Sequence, residues 1–218
     1  MLLYHFVNEK YGIENLTHRR IKISTLDRLN DPFEMRGFAI TKASDRRAWD
    51  GWFKHMAGRY GILCFSEGWR NPVQWTHYAD NHSGLCMAFE IEEKFATKVK
   101  YGEERKVLNL AKDLQAGKIG EEFVTDALTR KFSHWQYEQE WRVFLPIHNK
   151  APIDGRYFAD FGNDLVLKRV YLGARATTGS QAIRDAMGDL AKLVPVVTTR
   201  LAIKTFEICR QKDLKLQK

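Results

Sequence analysis

Two glycine-led apolar runs decide the fold: Gly61-Ile62-Leu63-Cys64-Phe65-Ser66 and Gly84-Leu85-Cys86-Met87-Ala88-Phe89-Glu90-Ile91. Each has strand length and is bounded by turn-forming residues, the pattern of a buried strand. A polar loop, Gly68 to Pro72, and a short helical segment, Val73 to Asp80, connect them. The core therefore sits on a sheet.

Working outward, Leu2 to Phe6 reads as a first apolar strand. Asn8 to Arg20 has helical spacing at Tyr11, Ile13 and Leu16, with a basic last turn. Ile21 to Ser24 alternates as a strand. Leu29-Asn30-Asp31-Pro32-Phe33-Glu34 is a turn cluster. Ser44 to His55 predicts a helix, Ser44 its N-cap and Trp49, Trp52 and Phe53 its apolar face. Arg105 to Arg130 predicts two helices split near Gly117–Gly120. Strands follow at Glu140–Leu145 and Val166–Leu172, a helix at Gly179–Leu193 ended by Pro195, and last strands near Pro195–Thr199 and Thr205–Cys209. Helices interrupt strands irregularly, so the expected class is α+β with a mixed or mainly antiparallel sheet. We expect one domain over 1–218 with helical insertions near 44–59 and 105–131.

Composition agrees. A chain of 218 residues, 44% hydrophobic, can bury a sizeable core. With 15 Gly and 5 Pro it is neither collagen-like nor low-complexity. No apolar run approaches the roughly 18 residues a membrane span needs. Met1-Leu2-Leu3-Tyr4-His5-Phe6 has no signal-type character, so a cytoplasmic location and no membrane partner are expected. Cys64, Cys86 and Cys209 are widely spaced and odd in number, which argues for a reducing compartment and buried thiols. The net charge of +8 favours acidic partners. Trp49, Trp52, Trp69 and Tyr60, with the basic stretch Ser44–Arg59, would suit RNA or DNA.

There is no phosphate-binding glycine loop, GxSxG elbow, kinase signature or HExxH helix. Cys64, His77, His82 and Cys86 could in principle close a zinc site, but both cysteines lie in apolar strand-like runs where side chains are core. Asp31, Glu34 and His77 would serve a metal-dependent nuclease, and no spacing supports that. No metal is expected. Three segments carry more polar and aromatic residues than a core requires: Leu3-Tyr4-His5-Phe6, Cys64 to His82, and Tyr137-Glu138-Gln139-Glu140-Trp141-Arg142.

Their order resembles the His-Tyr-Glu class of the ADP-ribosyltransferase superfamily. An early strand bears His5, a Gly-led strand leads to a helix bearing Tyr78, and a late strand begins at Glu140. The words Leu29–Glu34, Cys64-Phe65-Ser66-Glu67, Trp75–Gly84 and Tyr137–Arg142 also resemble, more closely, a bacterial and phage family labelled a domain of unknown function. It is family twenty-nine seventy-one, found near abortive-infection genes.

The first resemblance implies NAD as substrate. Glu140 would stabilise the positive charge that builds on the ribose as nicotinamide leaves, with Glu138 competing for that place. Tyr78 would hold nicotinamide flat, flanked by Trp75 and His77. His5 would donate to the adenine-side ribose, and Tyr4, Ser66 and Asn30 would line the site. Arg20, Arg70 or Arg142 would meet the pyrophosphate; Arg142 could equally be a structural partner of Glu138 or Glu140. The acceptor would be nucleic acid or protein, and an antitoxin protein is the implied partner of such a toxin or phage-defence effector. The alternative is a non-catalytic NAD, ADP-ribose or nucleic-acid binding module on the same fold.

Overall fold

The computed structural model describes residues 1–34, 36–109, 113, 116–117 and 120–213. The elements run β1 (Leu2–Val7), α1 (Glu9–Thr17), β2 (Arg20–Thr25), β3 (Phe38–Ala39), α2 (Ala43–Ala57), β4 (Tyr60–Ser66) and α3 (Pro72–Tyr78). Then come β5 (Leu85–Glu90), β6 (Ala96–Lys98), β7 (Lys100–Gly102), β8 (Lys106–Val107), α4 (Glu121–Thr129), β9 (Arg130–Phe132) and β10 (Glu140–Pro146). The chain continues through β11 (Tyr157–Asp160), β12 (Val166–Leu172), α5 (Ser180–Met187), β13 (Val196–Leu201) and β14 (Ile208–Arg210).

One large sheet has the order β11-β2-β4-β1-β5-β12-β13-β14, with β10 also paired to β4 and β6 to β10. Among the described residues, β12 and β13 are its only parallel pair. Two small parallel pairs, β3 with β8 and β7 with β9, stand apart. This is the α+β, mainly antiparallel class expected.

The two opening runs are β4 and β5. β5 is buried on both faces, which is why it reads as a continuous apolar run. Leu3, Met87 and Phe89 join Leu16, Ile183 and Met187 of α1 and α5 in the main core. Cys86 and Ala88 face the other way, against Trp75 and Tyr171. Asn8 caps α1 by accepting from the Tyr11 N–H at 2.9 Å.

Several expectations need correction. α1 stops at Thr17 and Arg19 turns left-handed (φ 52°), so the two arginines lie outside its last turn. α2 begins after Lys42 and no side chain caps it; the Ser44 hydroxyl bonds Asp45 instead. Residues 106–107 form β8 rather than helix, and residues 110–112, 114–115 and 118–119 of the expected helical stretch lie outside the described residues. α5 ends at Met187, where Gly188 takes φ +56° and a 3-10 turn replaces the helix. The last strand begins at Ile208, not Thr205.

Of the aromatics expected to suit nucleic acid, Trp49 and Trp69 are buried and Trp52 and Tyr60 half-buried. Trp49 lies against Phe38 and Phe123, and Trp52 packs on Trp49. Trp69 stacks on Tyr171 at 4.3 Å. The tail from Leu214 lies outside the described residues. Among the described residues no helix is long and apolar enough to cross a membrane.

Gly84 is required by close approach. A Cβ there would meet the Val7 carbonyl oxygen at 2.2 Å and the Asn8 Cα at 2.9 Å, backbone atoms that cannot turn aside. Gly84→Ala should cost more than about 2 kcal/mol of stability, read from the urea midpoint. An unchanged midpoint would show that the β1–α1 junction yields freely.

Candidate active site

β4 offers one edge entirely to β10, from Glu140 opposite Ser66 to Pro146 opposite Tyr60. Its other edge is shared. β1 meets it only at Tyr4 opposite Ser66, and β2 only at Ser24 opposite Ile62 and Thr25 opposite Gly61. Between those contacts neither strand pairs with Leu63–Phe65. An edge left without a strand must satisfy its carbonyls otherwise. His5 does so for one of them, with Nδ1 3.1 Å from the Cys64 oxygen.

A cleft of about 260 Å³ opens at this gap. His5, Tyr4 and Ser66 line it from the sheet, Tyr78 from α3, Asn30 from the turn after β2, and Glu140 from the start of β10. The Tyr4–Ser66–Glu140 row is a consequence of register alone.

Behind the cleft lies a buried charge cluster. Arg142, fully buried, donates through Nε to Glu140 Oε1 at 2.8 Å and through Nη2 to Glu140 Oε2 at 3.0 Å. Nη2 also donates to Glu34, and Nη1 to the Leu128 carbonyl at 2.7 Å. Lys131 Nζ reaches Glu138 at 2.6 Å, Glu34 at 3.0 Å and Glu140 at 3.2 Å, and lies over the Trp135 ring. The Tyr78 hydroxyl donates to Glu138 and accepts from Asn30 Nδ2 at 2.9 Å.

Glu138 and Glu140, two residues apart, would share a face on a regular strand, and here they still meet at Lys131 although the chain between them is not a strand. Glu138 ends a 3-10 turn, and the left-handed Gln139 (φ 45°) carries the chain from that turn into β10. Gln74 locks this turn, donating from Nε2 to Ser66 Oγ at 2.5 Å and to the Glu138 carbonyl at 2.7 Å.

The two carboxyls differ electrostatically. Burial pushes Glu140 up, but the charge and bonds of Arg142, then Lys131, overcome it and hold the group at about 2. Burial also raises Glu138, and its bonds to Lys131 and Tyr78 do not fully offset that. Burial raises the Tyr78 phenol further, with the Glu138 charge adding to it, so its hydroxyl keeps its proton. Burial lowers His5, which keeps it neutral. A carbonyl oxygen can only accept, so the single ring proton sits on Nδ1. Nε2 is then left as an acceptor.

Of the nominated residues, Glu140, Tyr78, His5, Tyr4, Ser66 and Asn30 share the cleft. Three do not. Trp75 is fully buried, its Nε1 donating to the Trp69 carbonyl at 2.5 Å, so it packs rather than binds. His77 is exposed and stacks on Tyr137. Arg142 has no donor turned to a ligand; it is a structural partner of Glu140 and Glu34.

Arg20 lies over the Phe158 ring and Arg70 pairs with Glu207, neither in the cleft. The exposed cation at the rim is Arg28, missed by the sequence reading. Lys131 was missed too, because its stretch read as helical. Asp31 and Glu34 do not converge with His77: Asp31 accepts from the Phe33 N–H, and Glu34 belongs to the buried cluster. Among the described residues no group of three His, Cys, Asp or Glu side chains could hold a metal ion, the cysteine–histidine set included.

Fold and site together define an α+β protein with a ligand-sized cleft at a split sheet edge, backed by buried carboxylates. Residues 74–143 match the profile of a family described as "Protein of unknown function (DUF2971)". It is the family that the sequence words resemble, and the matched segment carries Tyr78, Lys131, Glu138, Glu140 and Arg142. No curated protein and no solved structure matches the chain.

Glu140→Gln removes one charge from a closed network and should cost about 3 kcal/mol. Held near 2 rather than at the ordinary 4.5, Glu140 contributes stability above pH 4.5 that drains away as pH falls toward 2. Thermal midpoints between pH 7 and pH 2.5 should therefore fall less steeply for the variant. Parallel curves would show that Glu140 is not the titrating support.

Proposed function

We propose that the cleft binds NAD and that the protein transfers ADP-ribose to an acceptor. What carries the reading is the convergence of His5, Tyr78 and an ionised Glu140 on the gap between β1, β2 and β4. NAD supplies an activated ribose, whose C1′–nitrogen bond breaks with its electron pair leaving on nicotinamide. Glu140 is charged at any physiological pH and faces the positive charge that builds on that ribose. Tyr78 orients the departing ring. His5 Nε2 accepts from a ribose hydroxyl. Glu138, raised by burial, receives the proton that the acceptor loses on bonding to C1′. A cleft of this size suits the nicotinamide–ribose half, and exposed Arg28 at the rim meets the pyrophosphate.

The acceptor is nucleic acid or protein. We further propose a cytoplasmic toxin or phage-defence effector accompanied by an antitoxin, as the family resemblance implies.

One observation favours a second reading, a binding module that kept the fold without the chemistry. The carboxylates of Glu34, Glu138 and Glu140 are all engaged by Lys131, Arg142 or Tyr78. The assay that separates the two is nicotinamide release from labelled NAD. Folded Glu140→Gln should lose on the order of a hundredfold or more in rate while still binding NAD. Tyr78→Ala should raise KM, and Tyr78→Phe, which keeps the ring, should raise it less. Binding without release by the wild type would establish the module. Neither binding nor release would remove NAD from the account.

A further inference from the structure

A second cleft, of about 280 Å³, backs onto the first. They are divided by the β7–β9 pair, in which Tyr101 lies opposite Lys131 and Gly102 opposite Phe132. Strand alternation sends neighbours to opposite sides. Lys131 and Tyr101 turn to the NAD cleft: Lys131 binds its carboxylates, and the Tyr101 hydroxyl accepts the Glu140 N–H at 2.9 Å. Arg130, Phe132 and Gly102 turn to the second cleft. The turn after β2 repeats the division, with Glu34 in the buried cluster and Phe33 beside the second cleft.

The chemistry of this second cleft is aromatic and cationic. Phe33 is 61% exposed and Phe132 44% exposed, large apolar rings left in water. The Arg105 guanidinium lies 4.9 Å over the Phe33 ring, and His134 stacks on Phe132 at 4.5 Å. Arg36, Arg105 and Arg130 line it against two carboxylates, Glu103 and Glu104, with Arg130 also held by Asp126 at 3.0 Å. Arg36 and Arg105 are exposed and, among the described residues, in no salt bridge. Arg130 is held against Gly37, where an added Cβ would meet its stem at 2.8 Å, and its buried Nε has no hydrogen-bond partner.

Exposed rings interleaved with guanidinium groups are the recognition surface of unpaired bases on a phosphate chain. A peptide acceptor gives no reason for two solvent-facing rings beside unpaired arginines. Base pairs already stacked in a duplex cannot insert between such rings. We propose that this groove binds single-stranded nucleic acid and presents it as the acceptor to the adjoining cleft. The acceptor role rests on the transferase reading; the binding itself does not.

The test therefore omits NAD. Fluorescein-labelled oligonucleotides of about ten nucleotides, as single-stranded RNA, single-stranded DNA and duplex, are titrated by anisotropy. Single strands should bind, more weakly as salt rises, and duplex should bind at least tenfold more weakly. Phe33→Ala and Phe132→Ala should each weaken binding on the order of tenfold. Arg105→Ala should weaken it and flatten the salt dependence. Phe206→Ala, at a ring still more exposed but in the β13–β14 connection, should change nothing. These side chains are at the surface, so the variants fold. Equal binding of duplex, or indifference to both phenylalanine changes, overturns the groove. A second arm adds labelled NAD and cell lysate. Label on protein, with oligonucleotides unmodified, overturns the acceptor assignment. Oligonucleotide binding without nicotinamide release refutes the transferase reading and leaves the groove as a binding site.

Discussion

Two buried cations hold the site together. Arg142 and Lys131 sit where water cannot reach them, and ions in that position are costly unless every donor is matched. Here three carboxylates, a carbonyl and an aromatic ring do the matching. Each partner comes from a different place: Glu34 from the turn after β2, Leu128 from α4, Glu138 from the 3-10 turn, Glu140 from β10. The cluster ties four otherwise separate segments to the sheet. It also sets the charge state of the cleft, since the same arginine that orients Glu140 keeps it ionised.

The cleft in turn follows from how β4 is shared. A strand with two continuous neighbours has no space on its edges. β4 has one continuous neighbour, β10, and two partial ones that leave its centre uncovered. The gap would be a defect if its backbone were unsatisfied. The His5 bond to Cys64 turns it into a stable opening and fixes the tautomer of the ring that faces it. Architecture and chemistry therefore share the same few atoms.

Much of this was legible in the sequence, for a physical reason. β4, β5, β10 and β12 are apolar because they are buried, and burial leaves a continuous imprint. The short pieces left none. β6, β7 and β9 have three residues each, too few to show a period. So Lys131, on β9, was hidden in a stretch read as helix. His5, Tyr78 and Glu140 come from β1, α3 and β10, and the fold gathers all three at one cleft. Trp75 and Arg142 could not be placed by order alone. An aromatic beside a site residue on a helix can face the site or the core, and only packing against Trp69 and Cys86 decides it. That Arg142 shares a strand face with Glu140 was readable; that the face is sealed was not. Arg28 ends a three-residue 3-10 turn and Asn30 lies in the bend after it, pieces too short for any periodicity to encode.

The bond from Arg142 to Glu34 spans 108 residues of chain. Contacts that distant close late, after the loop entropy they require has been met by nearer ones. The antiparallel pairing of β4 and β10, from Ser66–Glu140 to Tyr60–Pro146, closes a shorter stretch of chain and can form while the arginine remains in water. The sheet and the charge cluster are thus separable events in time. A chain still emerging from the ribosome holds Glu34 long before Lys131 and Arg142 exist. This ordering delays the complete charge cluster until nearly two-thirds of this sequence has been synthesised.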